Sequence, residues 1–461
     1  MASRVLTEWN PEDKAFWEKE GKAIANRNLW ISIPALFLSF AVWMVWSVVV
    51  VNLPNIGFKF DPNKLFWLAA LPGLTGATLR IFYSFMVPIF GGRKWTTIST
   101  ATLLIPALGI GFAVRDPHTS YTIMLILALL CGFGGGNFAS SMANISFFFP
   151  KAQKGTALGL NAGLGNLGVS AMQFLVPLVI TTGMFSALCG DSQICAIKGQ
   201  TTSIWMQNAG FVWVPLILAS TIAAWFGMND IASAKASFKE QSIIFRRRHN
   251  WIMCWLYLGT FGSFIGYSAG LPLLIKSQFP AENPTQYAFL GPLVGALARP
   301  LGGWVADKLG GARVTFWNFM VMAAAVFGVL FFLPYGGVGG NFWGFLAMFI
   351  LLFFTTGIGN GSTFRMIPVI FLTERQRDAQ GKGAVAQNQA VKDAGKEAAA
   401  VLGFTSAFAA YGAFFIPKGF GSSIAATGGP QAALYGFVFF YVTCIIMTWW
   451  YYSRKNAEMP C

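Results

Sequence analysis

Two arginines occupy matching places in long apolar stretches of this chain. The stretches GATLR and GALAR end in Arg80 and Arg299, and the text downstream also matches, since GGRKWTT at 91–97 answers GGARVTF at 310–316 at the same offset. An arginine near the centre of a bilayer costs roughly 2.5–3.5 kcal/mol on insertion scales, so such residues usually face a cavity and carry function. The pair therefore predicts a site for an anion on an internal pseudo-symmetry axis.

The composition is that of an integral membrane protein. Of the 461 residues, 55% are hydrophobic and only 11% are charged, and the mean hydropathy is +0.57. Soluble globular domains carry about 25% charged residues, so a soluble fold is excluded. Apolar runs of about 20 residues mark membrane-spanning helices. Twelve runs have this character: 30–53, 65–87, 96–114, 121–147, 156–183, 209–228, 250–275, 286–306, 313–334, 342–371, 397–419 and 431–452.

The basic residues indicate how the chain crosses the membrane. The two termini and the even-numbered loops carry 23 of the 32 lysines and arginines. Loops rich in Lys and Arg stay in the cytoplasm, so both termini are predicted to be cytoplasmic. Topology thus explains the net charge of +15, and no nucleic-acid partner is expected. The opposite side carries only Lys59, Lys64, Arg115, Lys198, Lys276 and Lys418.

Further matches divide the chain into two homologous halves. The fourth span, with GFGGGNFASSMANISFFFP, has its counterpart in GIGNGSTFRMIPVIF, and GTALGLNAGLGNLGVS of the fifth span in VLGFTSAFAAYGAFFIP. Two six-span repeats predict an all-α integral membrane protein, with twelve transmembrane helices in two pseudo-symmetric six-helix bundles, the major facilitator fold. The expected segments are a cytoplasmic N-terminal segment 1–28, a first bundle 29–228, a cytoplasmic loop 229–249, a second bundle 250–452 and a cytoplasmic tail 453–461.

Two polar segments lie outside the spans. Residues 1–28 have no apolar stretch, so no cleavable signal is expected. We interpret them as a solvated, partly helical lead-in whose Trp9 and Trp17 anchor at the membrane interface, in preference to a regulatory segment. Residues 372–396 form a polar loop rich in Ala and Gln, which we interpret as a helical or disordered cytoplasmic insertion.

The cysteines and histidines give little sign of chemistry. Cys131, Cys254 and Cys444 lie in spans and are expected to be packing residues. Cys189 and Cys195 share one outer loop, where a disulfide and two free thiols are both possible. The histidines, His118 and His249, are both placed in loops, so no haem or metal site is expected in the spans and no cofactor is predicted. No nucleophile–base pair is visible either, so an enzyme is not expected. A non-transporting sensor would need an appended signalling domain, for which the short loops leave no room.

A charged loop signature follows the second arginine. GGWVADKLGGAR at 302–313 fits the major facilitator loop pattern, with Asp307 and Arg313 as its charges. We expect these two residues to act on conformation, as an ion pair and helix-end cap holding one face shut. Pro88 stands where the first half would carry the acid. Arg365, in the tenth span, is either a third positive charge near the cavity or a residue that snorkels or caps a helix end, and we favour the second interpretation.

The chain resembles the nitrate/nitrite porter family of the major facilitator superfamily, and most closely its bacterial NarK-type members. The resemblance runs from about residue 27 to residue 452. It rests on RNLWIS, YSFMVPIFGGRKW, FASSMANISFFFP, GLNAGLGNLGVS, TFGSFIGYSAG, GALAR and GFTSAFAAYGAFFIP. The two glycine-rich stretches are similar to the family's paired nitrate signatures, although Ala409 and Ala413 stand where many members have Gly. The resemblance implies a multi-pass transporter of the bacterial cytoplasmic membrane that acts in nitrate assimilation as a monomer.

The resemblance also implies a set of anion-binding residues. The paired arginines match Arg80 and Arg299, and the phenylalanine of the fourth span that stacks on the anion matches Phe138. In the seventh span Tyr257 and Phe261 match the family's aromatic pair. The residues implied from the two signatures are Asn161, Gly163, Gly165, Asn166 and Ser406.

The chemistry of nitrate and nitrite agrees with such a site. Both are planar, delocalised monoanions, and a guanidinium fork donates in-plane hydrogen bonds to oxygens in one plane. Aromatic rings above and below would leave a slot too thin for tetrahedral sulfate. A structural ion pair does not explain Arg80 and Arg299, because all 17 carboxylates lie in loops, termini or span edges.

The sequence also bears on how transport is coupled. Proton symport normally needs a carboxylate or histidine in the pathway, and the spans contain none. Closing an empty carrier around two buried arginines is costly, and a bound anion relieves that cost. We therefore expect exchange of nitrate for nitrite, with nitrate/proton symport as the alternative.

Overall fold

The computed structural model of the chain describes residues 4–184, 186, 190–197, 200–232, 234, 242–335 and 339–461. In this part of the chain twelve helices are long and apolar enough to cross a membrane. The predicted number of spans and the all-α membrane fold are confirmed. The helices are α1 (Lys14–Ile56), α2 (Pro62–Tyr83), α3 (Gly92–Ala113), α4 (Tyr121–Phe148), α5 (Lys151–Val179), α6 (Asn208–Gly227), α7 (Arg248–Gln278), α8 (Pro284–Leu309), α9 (Gly311–Phe332), α10 (Phe342–Asp378), α11 (Ala384–Thr427) and α12 (Gln431–Ser453).

Short strands occur only outside the long helices. β1 (Val5–Leu6), β2 (Gln193–Ile197), β3 (Gln200–Ile204) and β4 (Asp230–Ile231) are the strands of the described residues. β1 pairs in parallel with β4, and β2 and β3 form an antiparallel hairpin. The helices satisfy their own backbone groups, as a spanning segment must, and the strands tie loops together.

Packing divides the chain into two compact units. The first comprises Met1–Lys235, Ser268–Leu293 and Ala413–Gly421, and the second comprises the remaining segments Ala236–Tyr267, Val294–Gly412 and Ser422–Cys461. The first unit therefore takes segments from both halves of the sequence, whereas the second takes them from the second half and the loop before it. The two bundles expected at 29–228 and 250–452 stay a prediction.

Within the first unit, segments of α7, α8 and α11 pack on helices of the first repeat. Gln173 of α5 donates from Nε2 to the Ser268 carbonyl oxygen at 2.7 Å, and Ser170 donates to the Phe289 carbonyl oxygen at 2.9 Å. A Cβ atom added at Gly73 would lie 2.4 Å from the carbonyl carbon of Ala413. Two of these contacts join a side chain to a backbone carbonyl and the third joins two backbones, so any motion that separates these segments must break them.

Within the second unit, α7 and α11 cross without side chains between them. A Cβ atom added at Gly412 would lie 2.3 Å from the Gly262 carbonyl oxygen. Near the other end of the unit, the Ala312 amide at the start of α9 donates to the Cys461 carbonyl oxygen at 2.9 Å. The tail is therefore packed on the helix bundle.

The N-terminal segment is part of the folded protein. Trp9 donates from Nε1 to the Phe147 carbonyl oxygen at 3.0 Å. Trp17 is only 5% exposed and packs edge-on to Phe149, with ring centroids 5.8 Å apart. The interpretation of this segment as a solvated lead-in with membrane-anchoring tryptophans is wrong, because the aromatic end of α4 offers these indoles an apolar surface of protein. The apolar cluster around Trp17 also contains Ala25, Leu29, Ile33, Ile145, Phe148, Ala157 and Ile231.

The segment 372–396 is mostly helical. Helix α10 continues to Asp378 and α11 begins at Ala384, so only a few residues separate the two helices. Of the two alternatives for this segment, the helical one is correct. The polar residues extend two spanning helices beyond their apolar parts.

We predict that Trp17→Ala destabilises the protein. Removing a buried indole costs about 3–5 kcal/mol in protein cores, because it loses apolar burial and leaves a cavity. Thermal unfolding of the purified protein in detergent, followed by intrinsic fluorescence, should give a clearly lower melting temperature. Trp30→Ala is the matched control, since Trp30 is 59% exposed on the same helix. Equal melting temperatures for the two variants would contradict the packing described for the N-terminal segment.

Candidate functional site

The arginine motif has a packing explanation that the sequence did not reveal. A Cβ atom added at Gly135 of α4 would lie 2.6 Å from the Cα of Gly76, so α2 and α4 cross in backbone contact at this pair. Arg80 lies one turn beyond Gly76 on α2. The glycine crossing therefore brings the Arg80 guanidinium onto the face of α4.

The second repeat uses the same device. A Cβ atom added at Gly357 of α10 would lie 2.3 Å from the Gly295 carbonyl oxygen of α8. Arg299 follows Gly295 by one turn, as Arg80 follows Gly76. The shared pattern of a glycine four residues before an arginine thus places each arginine against the fourth helix of its own repeat.

Arg80 is fully buried in the first unit. Its Nε donates to the Gly135 carbonyl oxygen at 2.7 Å. Its guanidinium carbon lies 4.7 Å from the ring centroid of Phe138 and 5.0 Å from that of Trp43. Cation–π contacts of this length are attractive and strengthen when water is excluded. The structure thus brings together two of the predicted site residues, Arg80 and Phe138.

Arg299 lies in the second unit and is half-buried. Its Nη2 donates to the Tyr257 hydroxyl at 3.2 Å, and its guanidinium carbon lies 4.8 Å from the ring centroid of Phe364. Its Nη1 is buried and has no hydrogen-bond partner among the described residues. A buried donor without a partner costs free energy, which an anion accepting from Nη1 would recover.

Phe364 is a candidate site residue that the sequence analysis missed. It contacts Arg299 as Phe138 contacts Arg80, but the two phenylalanines do not align. In the register that aligns the fourth helices of the repeats, Phe138 matches Ser362 and Phe364 matches Ser140. The signal was present, because Phe364 directly precedes Arg365 in GIGNGSTFRMIPVIF, the counterpart of the fourth span. The repeat alignment does not single it out, because the aligned residue of the first repeat, Ser140, is not aromatic.

The predicted aromatic pair of α7 is stacked. The rings of Tyr257 and Phe261 have centroids 5.5 Å apart and an interplanar angle of 9°, and both side chains are fully buried. Tyr257 immediately precedes a π-helical turn over Leu258–Gly262, and Phe261 lies within it. Such turns are frequent at functional sites in helices. Tyr257 thereby supplies both a flat face and the hydroxyl that accepts from Arg299.

The first signature has two buried asparagines. Asn161 donates from Nδ2 to the Ser141 hydroxyl at 2.8 Å. The Oδ1 atoms of Asn161 and Asn166 are both buried and lack a hydrogen-bond partner within the described ranges. Both amides are therefore able to accept a hydrogen bond from water or from another donor that enters the bundle.

The remaining signature residues have different surroundings. A Cβ atom added at Gly165 would lie 2.7 Å from the Leu36 side chain, so packing against α1 requires this glycine. At Gly163 an added Cβ would meet no atom within 4 Å. Ser406 donates from its hydroxyl to the Gly403 carbonyl oxygen at 2.8 Å. Contacts within the structure thus explain Gly165 but not Gly163.

The loop signature forms a different ion pair from the expected one. Asp307 pairs with Arg365, with Oδ1 and Nε 3.0 Å apart, and no ion pair of Arg313 occurs among the described residues. The snorkelling or capping favoured for Arg365 stays a prediction, to which the structure adds this pair. Since the two side chains are 32% and 67% exposed, the pair is worth about 0–1 kcal/mol in stability.

In the first repeat an acid from another element takes the place of Asp307. Asp230 of β4 accepts from the Arg93 backbone amide at 2.8 Å and from Arg93 Nε at 3.3 Å, and both side chains are buried. A Cβ atom added at Gly91, which has φ +89°, would lie 2.4 Å from Asp230 Oδ1. This buried pair replaces the acid that the sequence lacks at Pro88.

Other charged groups cluster at the polar ends of α7, α10 and α11. Glu397 is buried and accepts from Arg375, and its Oε1 lies 3.4 Å from Arg247 Nη2. Arg247 also pairs with Glu374 at 3.2 Å. Because each of these acids has an arginine within hydrogen-bond distance, the buried charge is compensated locally.

The placement of His249 in a loop is wrong. His249 belongs to the first turn of α7 and is 2% exposed. Its Nδ1 lies 2.9 Å from the Tyr452 hydroxyl, and its Nε2 lies 3.4 Å from the carboxylate of Glu458. The helix begins earlier than its apolar run, because the aromatic end of α12 covers the imidazole.

The cysteines give no reactive cluster. Cys131, Cys254 and Cys444 are buried in spans, as expected of packing residues. Cys195 of β2 is buried, whereas Cys189 lies outside the described residues, so the disulfide and the two free thiols both stay predictions. Burial raises the pKa of the Cys461 thiol to about 12. Within the described ranges, no group of three or more His, Cys, Asp or Glu side chains could hold a metal ion.

Comparison with known proteins places the chain in a family. The Major Facilitator Superfamily model matches residues 35–395. The chain is 53% identical over 453 residues to the nitrate/nitrite transporter NarU of Escherichia coli, covering 98% of this chain and 97% of that protein. It is 44% identical over 462 residues to the probable nitrate/nitrite antiporter NarK2 of Thermus thermophilus, covering 99% and 98% respectively.

A solved structure supports the fold alone. The bacterial homologue of the human lysosomal transporter Spinster, in an inward-facing and occupied conformation, matches with a TM-score of 0.61 at 14% identity. The match covers 91% of this chain and 95% of that one. The chain therefore belongs to the major facilitator superfamily and, within it, to the NarK-type family of the NarU and NarK transporters.

Proposed function

We propose that this protein transports nitrate and nitrite across the bacterial cytoplasmic membrane. The observation that carries the proposal is that each repeat holds one arginine against a phenylalanine at membrane depth. The names of the NarU and NarK2 relatives support the choice of anions. A monomer with both termini in the cytoplasm is the arrangement we expect.

We further propose that Arg80 and Arg299 bind the same anion. The repeat symmetry of the sequence supports this, because equivalent residues of two repeats can approach one ligand on a shared axis. A guanidinium binds a planar oxyanion through two parallel N–H donors. Nη1 of Arg299 is such a donor, and it has no hydrogen-bond acceptor among the described residues. Neither nitrate nor nitrite needs a proton or a metal to accept these hydrogen bonds.

Aromatic rings would select for the flat shape of the anion. Phe138 lies against Arg80, and Phe364 lies against Arg299, while Tyr257 and Phe261 stack on each other. Rings on either side of an arginine fork leave room for a planar ion and exclude a tetrahedral one. They also exclude water, which strengthens each charged contact.

Transport by alternating access requires close contacts to open in every cycle. The two bundles expected at 29–228 and 250–452 are the proposed moving bodies. The contacts of Gln173 with Ser268 and of Gly73 with Ala413 join segments from the two repeats within the first unit. In this proposal they form on one side of the membrane and break when the carrier opens there.

We propose exchange of nitrate for nitrite as the coupling mode. Among the described residues, the contacts of Arg299 with Tyr257 and Phe364 are with neutral groups, so closing the empty site around it carries a charge penalty that an anion relieves. The alternative is nitrate/proton symport. Buried His249 is a titratable group that this alternative could use, as is the Tyr257 hydroxyl.

Arg80→Lys and Arg299→Lys should each lower nitrate uptake by roughly tenfold or more, equivalent to about 1.4 kcal/mol. Lysine keeps the charge but lacks the planar fork that matches a planar oxyanion. The measurement is uptake of labelled nitrate into proteoliposomes at equal protein density. Arg365→Lys is the matched control, because its ion pair with Asp307 needs only a cation. Normal uptake by both site variants would remove these arginines from the site.

Shape selectivity is tested by competition. Unlabelled nitrite should compete with labelled nitrate, whereas sulfate at the same concentration should not. Phe138→Ala, Phe261→Ala and Phe364→Ala should open the slot and weaken this discrimination. Phe331→Ala is the control, since that side chain is 81% exposed. Competition by sulfate as strong as that by nitrite, in the unmodified protein, would show the flat-slot proposal to be wrong.

Coupling is tested in vesicles with a clamped membrane potential. Labelled nitrate uptake should require nitrite inside the vesicles and should ignore an imposed pH gradient. His249→Gln should leave this exchange intact, because the imidazole has no part in it. Uptake into empty vesicles that follows the proton gradient would overturn exchange, and loss of that uptake in His249→Gln would identify the proton carrier.

A further inference from the structure

A groove in the second unit faces outward from the helices. Helices α8, α9 and α10 line a cavity of about 470 Å³. Its walls are almost entirely apolar, and Leu309 and Phe354 on its rim are 58% and 39% exposed. Because these helices span the membrane, such an outward-facing apolar groove is filled by the bilayer itself.

The groove begins at the level of the lipid headgroups. Its wall on α9 runs from Arg313 to Val321, which is about 12 Å at 1.5 Å per residue. Trp304 and Trp317 beside it are 55% and 62% exposed. Exposed tryptophans are typical of the interface between hydrocarbon and headgroups. Arg313 thus lies at the polar end of a groove that continues into the hydrocarbon layer.

The charge at this end is positive. Arg313 is exposed and has no ion pair in the described part of the chain, and the Lys308 ammonium lies over the Trp304 ring at 3.9 Å. The nearby acid, Asp307, is already paired with Arg365 at 3.0 Å. Neither Arg313 nor Lys308 forms an ion pair with a side chain in the described part of the chain, so both cations can bind an anion on the side predicted to be cytoplasmic.

Farther along, the groove has little polarity. The Asn318 amide is 6% exposed and donates from Nδ2 to the Met322 sulfur at 3.4 Å. The Thr355 hydroxyl donates to the Leu351 carbonyl oxygen at 2.9 Å. The backbone amide of Ala312, at the start of α9, already donates to the Cys461 carbonyl oxygen. The groups that can bind an anion at this end of the groove are therefore the side chains of Arg313 and Lys308.

We infer that this groove is a binding site for an anionic phospholipid of the inner leaflet. One acyl chain lies along α9 between α8 and α10, and the phosphate accepts hydrogen bonds from Arg313 and Lys308. Basic pockets between helices on the cytoplasmic side are suited to anionic headgroups, which that leaflet supplies. The site is separate from the proposed anion pathway and does not depend on which ion is transported.

The test is native mass spectrometry of the full chain in detergent, titrated with phosphatidylglycerol or with phosphatidylcholine of the same chains. The unmodified protein should retain one tightly bound phosphatidylglycerol and bind phosphatidylcholine at least tenfold more weakly. Arg313→Gln should weaken phosphatidylglycerol binding by about tenfold. Equal retention of both lipids by the unmodified protein would overturn the headgroup assignment.

Two further variants separate the site from general surface charge. Lys94→Gln is the matched control, because Lys94 is the counterpart of Arg313 in the first repeat and is not part of the groove. It should bind phosphatidylglycerol normally, and an equal loss in both variants would contradict a specific site. Val321→Phe fills the groove and should also displace the lipid. If Val321→Phe folds, as judged by thermal unfolding, and still binds normally, the chain does not lie in this groove.

Discussion

Keeping a guanidinium charged and dry inside a membrane protein is the constraint on which the rest of this structure depends. Arginine does not give up its proton, so the fold has to supply acceptors and polarisable faces at the right depth. At Arg80 these are the Gly135 carbonyl oxygen and the rings of Phe138 and Trp43. The carbonyl is within reach only because two glycines, Gly76 and Gly135, let the helix backbones touch. The glycine one turn before the arginine is therefore as much a part of the site as the arginine itself.

The two repeats meet this constraint with different residues. The arginine and its glycine are matched in both, but the aromatic partner sits two residues later in the second repeat, at Phe364 instead of the position of Phe138. A shift of two residues on a helix moves a side chain to another face, so the surroundings of the two arginines are not copies of one geometry.

The sequence analysis predicted what is determined by local composition and by duplication. The spans, the repeated arginines and the choice of Tyr257 as a candidate residue required only apolar runs, a repeated pattern and the family resemblance. What it missed depends on contacts between distant segments. Trp17 and His249 resemble loop residues by their charged neighbours, yet Phe149 and Tyr452 bury them. A local sequence pattern cannot predict a contact with a residue that lies more than a hundred positions away in the chain.

The ion pairs of the loop residues also depend on contacts between distant segments, and they bear on how transport is coupled. Asp230 forms an ion pair with Arg93 in the first repeat, which lacks an acid at Pro88. Asp307 pairs with Arg365 instead of Arg313. Asp230 and Asp307 both lie at or just beyond the end of a spanning helix, where an ion pair can stabilise a conformation. Arg299, by contrast, meets a hydroxyl and an aromatic ring. In the proposed exchange mechanism, an anion bound beside Arg299 supplies the missing negative charge, and this is the proposed reason why the loaded carrier has an advantage over the empty one.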